Sequence, residues 1–212
     1  MLKKKESVMK TAVWIVAFVM CLAIWPYGII DKTKTIQTGI EYDHLTEPLS
    51  GGVYAVQDFT ASETELHSIV LILDRNHMES DAGILQVRLM DATDQVLQTV
   101  NIPVEEIQSY QNCEAVFDAK LVRGDNYRYA VEALETQGDG PKLVYRSKEK
   151  AGIAELGMLS YFGIAELPDA VSMVRLVYTV GLTGYQIVIY DAFILLIALL
   201  ICGMYNNIVF RK

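Results

Sequence analysis

Four oxygen-bearing side chains crowd one short stretch of this 212-residue chain: Asp74, Asn76, Glu79 and Asp81. Carboxylates and amides at such spacing can surround a Ca²⁺ ion, which takes about 6–8 oxygen ligands. The spacing is not that of an EF-hand loop, so a solvated polar turn is the competing reading. His77, in the same stretch, reads as exposed rather than as a ligand, and His67 alternates with apolar neighbours as it would near the top of a strand. A second group consists of aromatic residues that could stack on sugar rings: Tyr110, Tyr145, Tyr161 and Phe162. Tyr161-Phe162, set between Gly157 and Gly163, is the foremost pair, against the alternative that tyrosines merely fill the core and rim of a β domain. Asp191, a lone acid inside an apolar run, is the third candidate, because such an acid faces water, headgroups or another protein segment.

Nothing comparable points to catalysis. The chain lacks Gly-x-Ser-x-Gly, His-Glu-x-x-His and a phosphate-binding glycine loop, and Cys113 has no histidine at a workable spacing. Glu105-Glu106 is a carboxylate pair, but adjacent acids on a turn are ordinarily solvated. The expectation is a protein that is not an enzyme and that needs no cofactor beyond a possible Ca²⁺.

The elements that would hold these residues begin with two apolar segments. Between Lys10 and Asp31 there is no charge, and 20 residues at about 1.5 Å each cross about 30 Å of hydrocarbon. The stretch is too long for a signal-peptide core and no small-x-small site follows it, so residues 11–30 read as an uncleaved transmembrane helix, with Pro26 marking its outer end or a kink. The second segment, residues 185–207, holds Asp191. An acid at mid-membrane costs about 2.5–3.5 kcal/mol, while each central Leu, Ile, Phe or Val returns about 0.3–0.6 kcal/mol. Eleven such residues between Ile187 and Ile201 outweigh the one acid.

Lys3, Lys4, Lys5 and Lys10 precede the first segment, and Arg211 and Lys212 follow the second. The positive-inside rule therefore puts residues 1–10 and 208–212 in the cytoplasm and residues 31–184 outside the plasma membrane. From Asp31 to Tyr190 there are 24 acids against 12 Lys and Arg, a net charge of −12. That balance excludes nucleic acid and argues against lying flat on anionic lipid. Cys21 and Cys202 fall in the membrane segments, so the outer domain has no disulfide framework and must rely on its core, which fits a bacterial surface.

Within the outer domain, period-2 patterning predicts about eight or nine short strands. Leu66–Leu73 is apolar on both faces, with Ile69, Leu71 and Leu73 on one side and Val70 and Ile72 on the other, as in a central strand. In Ile84–Asp91, Leu85, Val87 and Leu89 should face in, with Gln86 and Arg88 out; Gln95–Ile102 completes a hairpin. Further strands are expected over 52–59, 114–118, 127–133 and 143–145, and Val171–Val180 is expected as one last strand, with a helical turn at 103–107 and a glycine-punctuated stretch from 152 to 163. Many short strands with brief connections imply an all-β antiparallel sandwich flanked by two transmembrane helices.

The order of Phe59, Leu66, Ile69, Gly83, Leu85, Val87, Leu89, Asp91, Val96, Leu97, Phe117, Leu121, Gly124, Tyr127 and Tyr129 resembles the jelly-roll, galactose-binding-like β-sandwiches found outside Gram-positive bacterial membranes. The resemblance covers residues 52 to about 180 and rests on core and turn positions. It implies a jelly-roll-like fold and a role as an accessory protein that binds extracellular glycan or a partner protein in cell-envelope polysaccharide assembly. A structural subunit of a larger membrane complex, with no ligand of its own, is the alternative. Asp191, close to the outer end of its segment, reads first as solvated by headgroups; if it instead meets a helix, that helix would belong to another membrane subunit, since the first helix offers it no basic partner.

Overall fold

The computed structural model describes residues 2–27, 31–39, 41, 43–75, 82–136, 139–162, 167 and 169–210, without the side chains at the two ends of the chain and at residues 25–27. The elements in chain order are α1 (Leu2–Tyr27), β1 (Asp31–Gln37), β2 (His44–Leu45), β3 (Tyr54–Thr60), β4 (Glu65–Asp74), β5 (Ile84–Asp91) and β6 (Val96–Pro103), then a 3-10 turn (Val104–Glu106), β7 (Asn112–Lys120) and β8 (Asn126–Leu134). After them come β9 (Lys142–Ser147), α2 (Lys148–Ala151), β10 (Leu156–Phe162), β11 (Ala170–Ser172), β12 (Val174–Gly181) and α3 (Gly184–Phe210). The chain divides into two compact units, one made of residues 33–180 and the other of residues 1–32 with 181–212.

In the first unit the strands form two sheets. One runs β1-β12-β4-β9-β11, with β7 also on β4 and β2 on β9; the other runs β10-β3-β8-β5-β6. Every pairing whose register is defined is antiparallel. One apolar core draws on both sheets: Ile69, Leu71, Leu73, Ala115, Phe117, Leu143, Leu176 and Tyr178 from the first meet Phe59, Leu85, Val87, Leu89, Tyr129 and Val131 from the second. Leu66–Leu73 is the expected central strand: β4 has β7 along one edge and β12 then β9 along the other. Leu85, Val87 and Leu89 are fully buried, while Gln86 and Arg88 sit on the opposite face.

A polar bridge crosses this core. The Gln57 side-chain oxygen on β3 accepts from the Ser172 backbone N–H on β11 at 2.9 Å, and its amide nitrogen donates to the Asp58 and Gly157 carbonyls at 3.0 and 3.2 Å. The Ser172 hydroxyl is bonded to that of Tyr129 on β8. Gln57 and Ser172 are both fully buried, so these bonds are what makes their burial tolerable and they hold the sheets in one register.

Among the described residues twelve strands stand where about eight or nine are expected, and the differences have local causes. The segment 171–180 is two strands, because Ala170–Ser172 pairs with β9 and Val174 onward pairs with β4; the Met173 N–H reaches Val144 while its carbonyl takes the Ile72 N–H. Strand β10 lies inside the glycine-punctuated stretch, where the β10–β3 register shifts between Leu156 and Leu159. Gly157 is required there: a Cβ at that position would stand 2.5 Å from the Asp58 Cβ. Strands β1 and β2 are too polar or too short to announce themselves by alternation.

The second unit contains two helices long and apolar enough to cross a membrane. They contact one another, with Ala17 of α1 and Ala198 of α3 both buried. Helix α1 ends at Tyr27, one residue beyond Pro26. Helix α3 opens with one arm of a capping box: the Gln186 side-chain oxygen accepts from the Thr183 N–H at 3.1 Å and from the Thr183 hydroxyl at 3.2 Å.

Candidate functional site

The outer face of the five-stranded sheet carries an aromatic and charged surface. Register sets Phe162, Tyr54, Glu132 and Gln86 side by side across β10, β3, β8 and β5. The Phe162 and Tyr54 rings stack at 4.8 Å, with their planes 13° apart. On the other side of Tyr54 the Arg88 guanidinium stands 5.9 Å from the ring centroid, and it donates to Glu132 Oε2 at 3.1 Å. Ala130 and Val56, one register row further along, lie between Ser160 and Arg88. Phe162 is 45% exposed and Tyr54 half-buried, so a ring face and a fork of hydrogen-bonding groups are open to solvent together. Such a surface can take the apolar face of a sugar and bond its hydroxyls. Toward the end of the same face Arg128 bridges Asp58 at 2.8 Å and Asp94 at 2.6 Å; the bond to Asp94, and then Asp58, raise its pKa still further.

The outer face of the other sheet is different. A cleft of about 460 Å³ is lined by Val70, Ile72, Met173, Tyr110, Asn112 and Arg175, with Gln37, Gly39 and Val174 completing it. Register places Arg175 and Glu114 on either side of Val70, one strand away in each direction. Glu114 accepts from the buried Ser68 hydroxyl at 2.5 Å. Tyr110 is held with φ at 61°, in the left-handed region; its N–H donates to the Leu73 carbonyl at 2.8 Å and its hydroxyl to Asp74 Oδ2 at 3.0 Å.

The residues singled out from the sequence are dispersed by the fold. Tyr161 and Phe162 point to opposite faces of β10, as neighbours on a strand must. Tyr161 is 6% exposed in the core, where burial, with Glu47 second, pushes its hydroxyl up to about 12. The adjacent pair is therefore not one surface: Phe162 finds its stacking partner in Tyr54. Tyr145 belongs to the other sheet, half-buried and tilted against His44 at 5.4 Å. Of the four oxygen ligands considered for Ca²⁺, Asp74 is buried and takes the Tyr110 hydroxyl; Asn76, Glu79 and Asp81 lie outside the described residues, as does His77. No group of three or more His, Cys, Asp or Glu side chains able to hold a metal is present among the described residues. His67 is exposed near the start of β4 and hydrogen-bonds Asp118 at 2.5 Å. The Cys113 thiol is buried and raised to about 11 by that burial, with Glu106 adding to it, so it is protonated and inert at neutral pH.

In the helical unit Asp191 of α3 is near Cys21 of α1, and its Oδ1 is enclosed with no hydrogen-bond partner among the described residues. Tyr54, Glu132 and Arg175 carried no signal in the sequence, because their significance comes from cross-strand neighbours that only the register supplies. Comparison with protein-family models finds no match to this chain, and comparison with curated proteins finds none either.

Proposed function

We propose that the chain is a membrane-anchored, non-enzymatic recognition protein: both termini cytoplasmic, a jelly-roll-like sandwich held outside the plasma membrane, and a glycan bound on the outer face of its five-stranded sheet. The observation that carries this reading is the half-exposed Tyr54–Phe162 stack beside the Arg88–Glu132 pair. Stacking on aromatic rings fixes a sugar through its C–H face, and a guanidinium next to a carboxylate offers donors and acceptors to its hydroxyls. The lysines before α1 and Arg211 and Lys212 after α3 support the orientation.

The test is a glycan array probed with the full chain in micelles of a neutral detergent. Retention on a subset of envelope saccharides, lost in Phe162→Ala and in Tyr54→Ala but kept in Tyr145→Ala, is the expected result. Retention of no saccharide at all would move the chain to its alternative role, a structural subunit of a membrane complex without a ligand of its own.

A further inference from the structure

The cleft on the seven-stranded sheet contains a cation with nothing to answer it. Among the arginines of the sandwich, Arg88 and Arg128 meet carboxylates, Arg146 donates to the Thr38 carbonyl at 2.9 Å, Arg75 reaches the Glu105 and Ile107 carbonyls, and Arg123 is exposed. Arg175 is half-buried, and no hydrogen bond or ion pair reaches its guanidinium from any residue of the described chain. In a domain with two acids for every base this is a conspicuous vacancy of charge pairing. Two acids on the neighbouring strands are hydrogen-bonded elsewhere, Glu114 by Ser68 and Asp74 by Tyr110. A half-buried guanidinium still open to solvent is free to take a planar or tetrahedral oxyanion that fits its fork.

The surroundings narrow the ligand. Val70, Ile72 and Met173 make an apolar floor, and Gln37 and Asn112 present side-chain amides that no described residue engages. Tyr110 flanks the floor in a backbone conformation that tyrosine adopts only under constraint, and such conformations gather at binding sites. A bare anion would use Arg175 and leave the floor wet. A saccharide unit that carries a carboxylate or phosphate would use all of it: oxyanion on Arg175, hydroxyls on the amides, ring face on the aliphatic floor.

We propose that this cleft is a second binding site, for an acidic saccharide residue, with Arg175 as the group that selects the charge. The site is on a different sheet from the Tyr54–Phe162 surface and shares no residue with it. The proposal deepens the glycan reading in one respect, the chemical class of the sugar, and its test separates the two.

The experiment is isothermal titration of the full chain in zwitterionic micelles with glucuronate, glucose 1-phosphate, glucose and inorganic phosphate, each against the unaltered chain, Arg175→Gln and Phe162→Ala. The expected result is saturable binding of one or both acidic sugars, weakened at least tenfold by Arg175→Gln, unchanged by Phe162→Ala, and absent for glucose. Arg175→Lys should recover only part of the loss, since an ammonium lacks the fork. Binding that Arg175→Gln leaves intact, or no saturable binding of either acidic sugar, overturns the proposal. Inorganic phosphate held as tightly as the sugar phosphate overturns its saccharide part and reduces the site to one for a simple anion. Loss of array retention in Phe162→Ala, with these titrations negative, would leave the first reading standing and remove only this one.

Discussion

The two outer faces of the sandwich treat their charges in opposite ways. On the five-stranded sheet each arginine is closed off by neighbours one or two strands away, Arg88 by Glu132 and Arg128 by Asp58 and Asp94. On the seven-stranded sheet Arg175 faces a cleft, and the glutamate two strands away is turned to a serine. Both faces belong to antiparallel sheets over the same core, so the contrast does not come from the fold. It comes from register: Glu132, opposite Gln86, falls diagonally within reach of Arg88, while Val70 stands between Arg175 and Glu114. The first face pairs its arginines with its own carboxylates beside its aromatic rings; the second leaves Arg175 without a partner among the described residues.

The strongest way to break the comparison is to cut what both faces share. Gln57→Leu removes the acceptor of the Ser172 N–H and the donor to two carbonyls, all in the buried seam between the sheets. Each orphaned buried group costs about 1–3 kcal/mol, so a net loss of about 2–3 kcal/mol in denaturant titrations of the full chain is expected, followed through the β-sheet circular dichroism. Hydrogen exchange should rise in β10 and β11 together. A rise confined to one of them would mean that the sheets open separately and that the two faces are not parts of one cooperative unit.

A sharper and smaller test sets one arginine environment against the other. Glu132→Leu leaves Arg88, whose side chain is only 29% exposed, without its carboxylate, and should cost about 1 kcal/mol. Arg175→Leu removes a cation that has no partner among the described residues and adds apolar surface beside Val70, so stability should stay within about 0.5 kcal/mol of the parent or rise. The two variants would be compared in the same denaturant series. If Arg175→Leu costs as much as Glu132→Leu, Arg175 is already satisfied within the chain and the contrast between the faces fails.

Much of this architecture was legible in the residues. Alternation in 84–91 placed β5 with its inward face correct, and the two-sided apolarity of 66–73 marked β4 as central, although its Val70 and Ile72 face a cleft and not a covering layer. The length of the two apolar runs, the second broken only by Asp191, marked the two long helices in the same way. What was hidden depends on pairing. The bulge at Gly157 breaks the alternation of β10, and the exchange of partners at Met173 divides what reads as one strand. The site is the extreme case: Tyr54 is 108 residues from Phe162, and Arg88 is 44 from Glu132, so no local pattern could join them. Tyr161-Phe162 attracted notice as neighbours, yet adjacency along a strand is what separates two side chains in space.

The smallest expected effect concerns how the five-stranded sheet also settles its own edge. At the β5–β6 turn the Asp91 carboxylate accepts from the Thr93 hydroxyl at 2.7 Å and from the Thr93 and Gln95 N–H groups at 2.8 and 3.0 Å. The hydroxyl bond first, and then the backbone bonds, hold its pKa below the ordinary 3.8. A carboxylate whose folded pKa is depressed stabilises the fold above its ordinary value and loses that contribution as pH falls through the folded one. Asp91→Asn should therefore lower the melting temperature of the full chain at neutral pH, and the gap should close as pH is brought below the ordinary carboxylate range. Arg175→Leu provides the matching control, because a guanidinium keeps its charge throughout and its small offset should not change across the same series. A gap for Asp91→Asn that persists unchanged into acid would show that the aspartate acts at the turn through its shape and not through its charge, and the five-stranded sheet would then hold one acid fewer in the electrostatic account that separates it from the open face opposite.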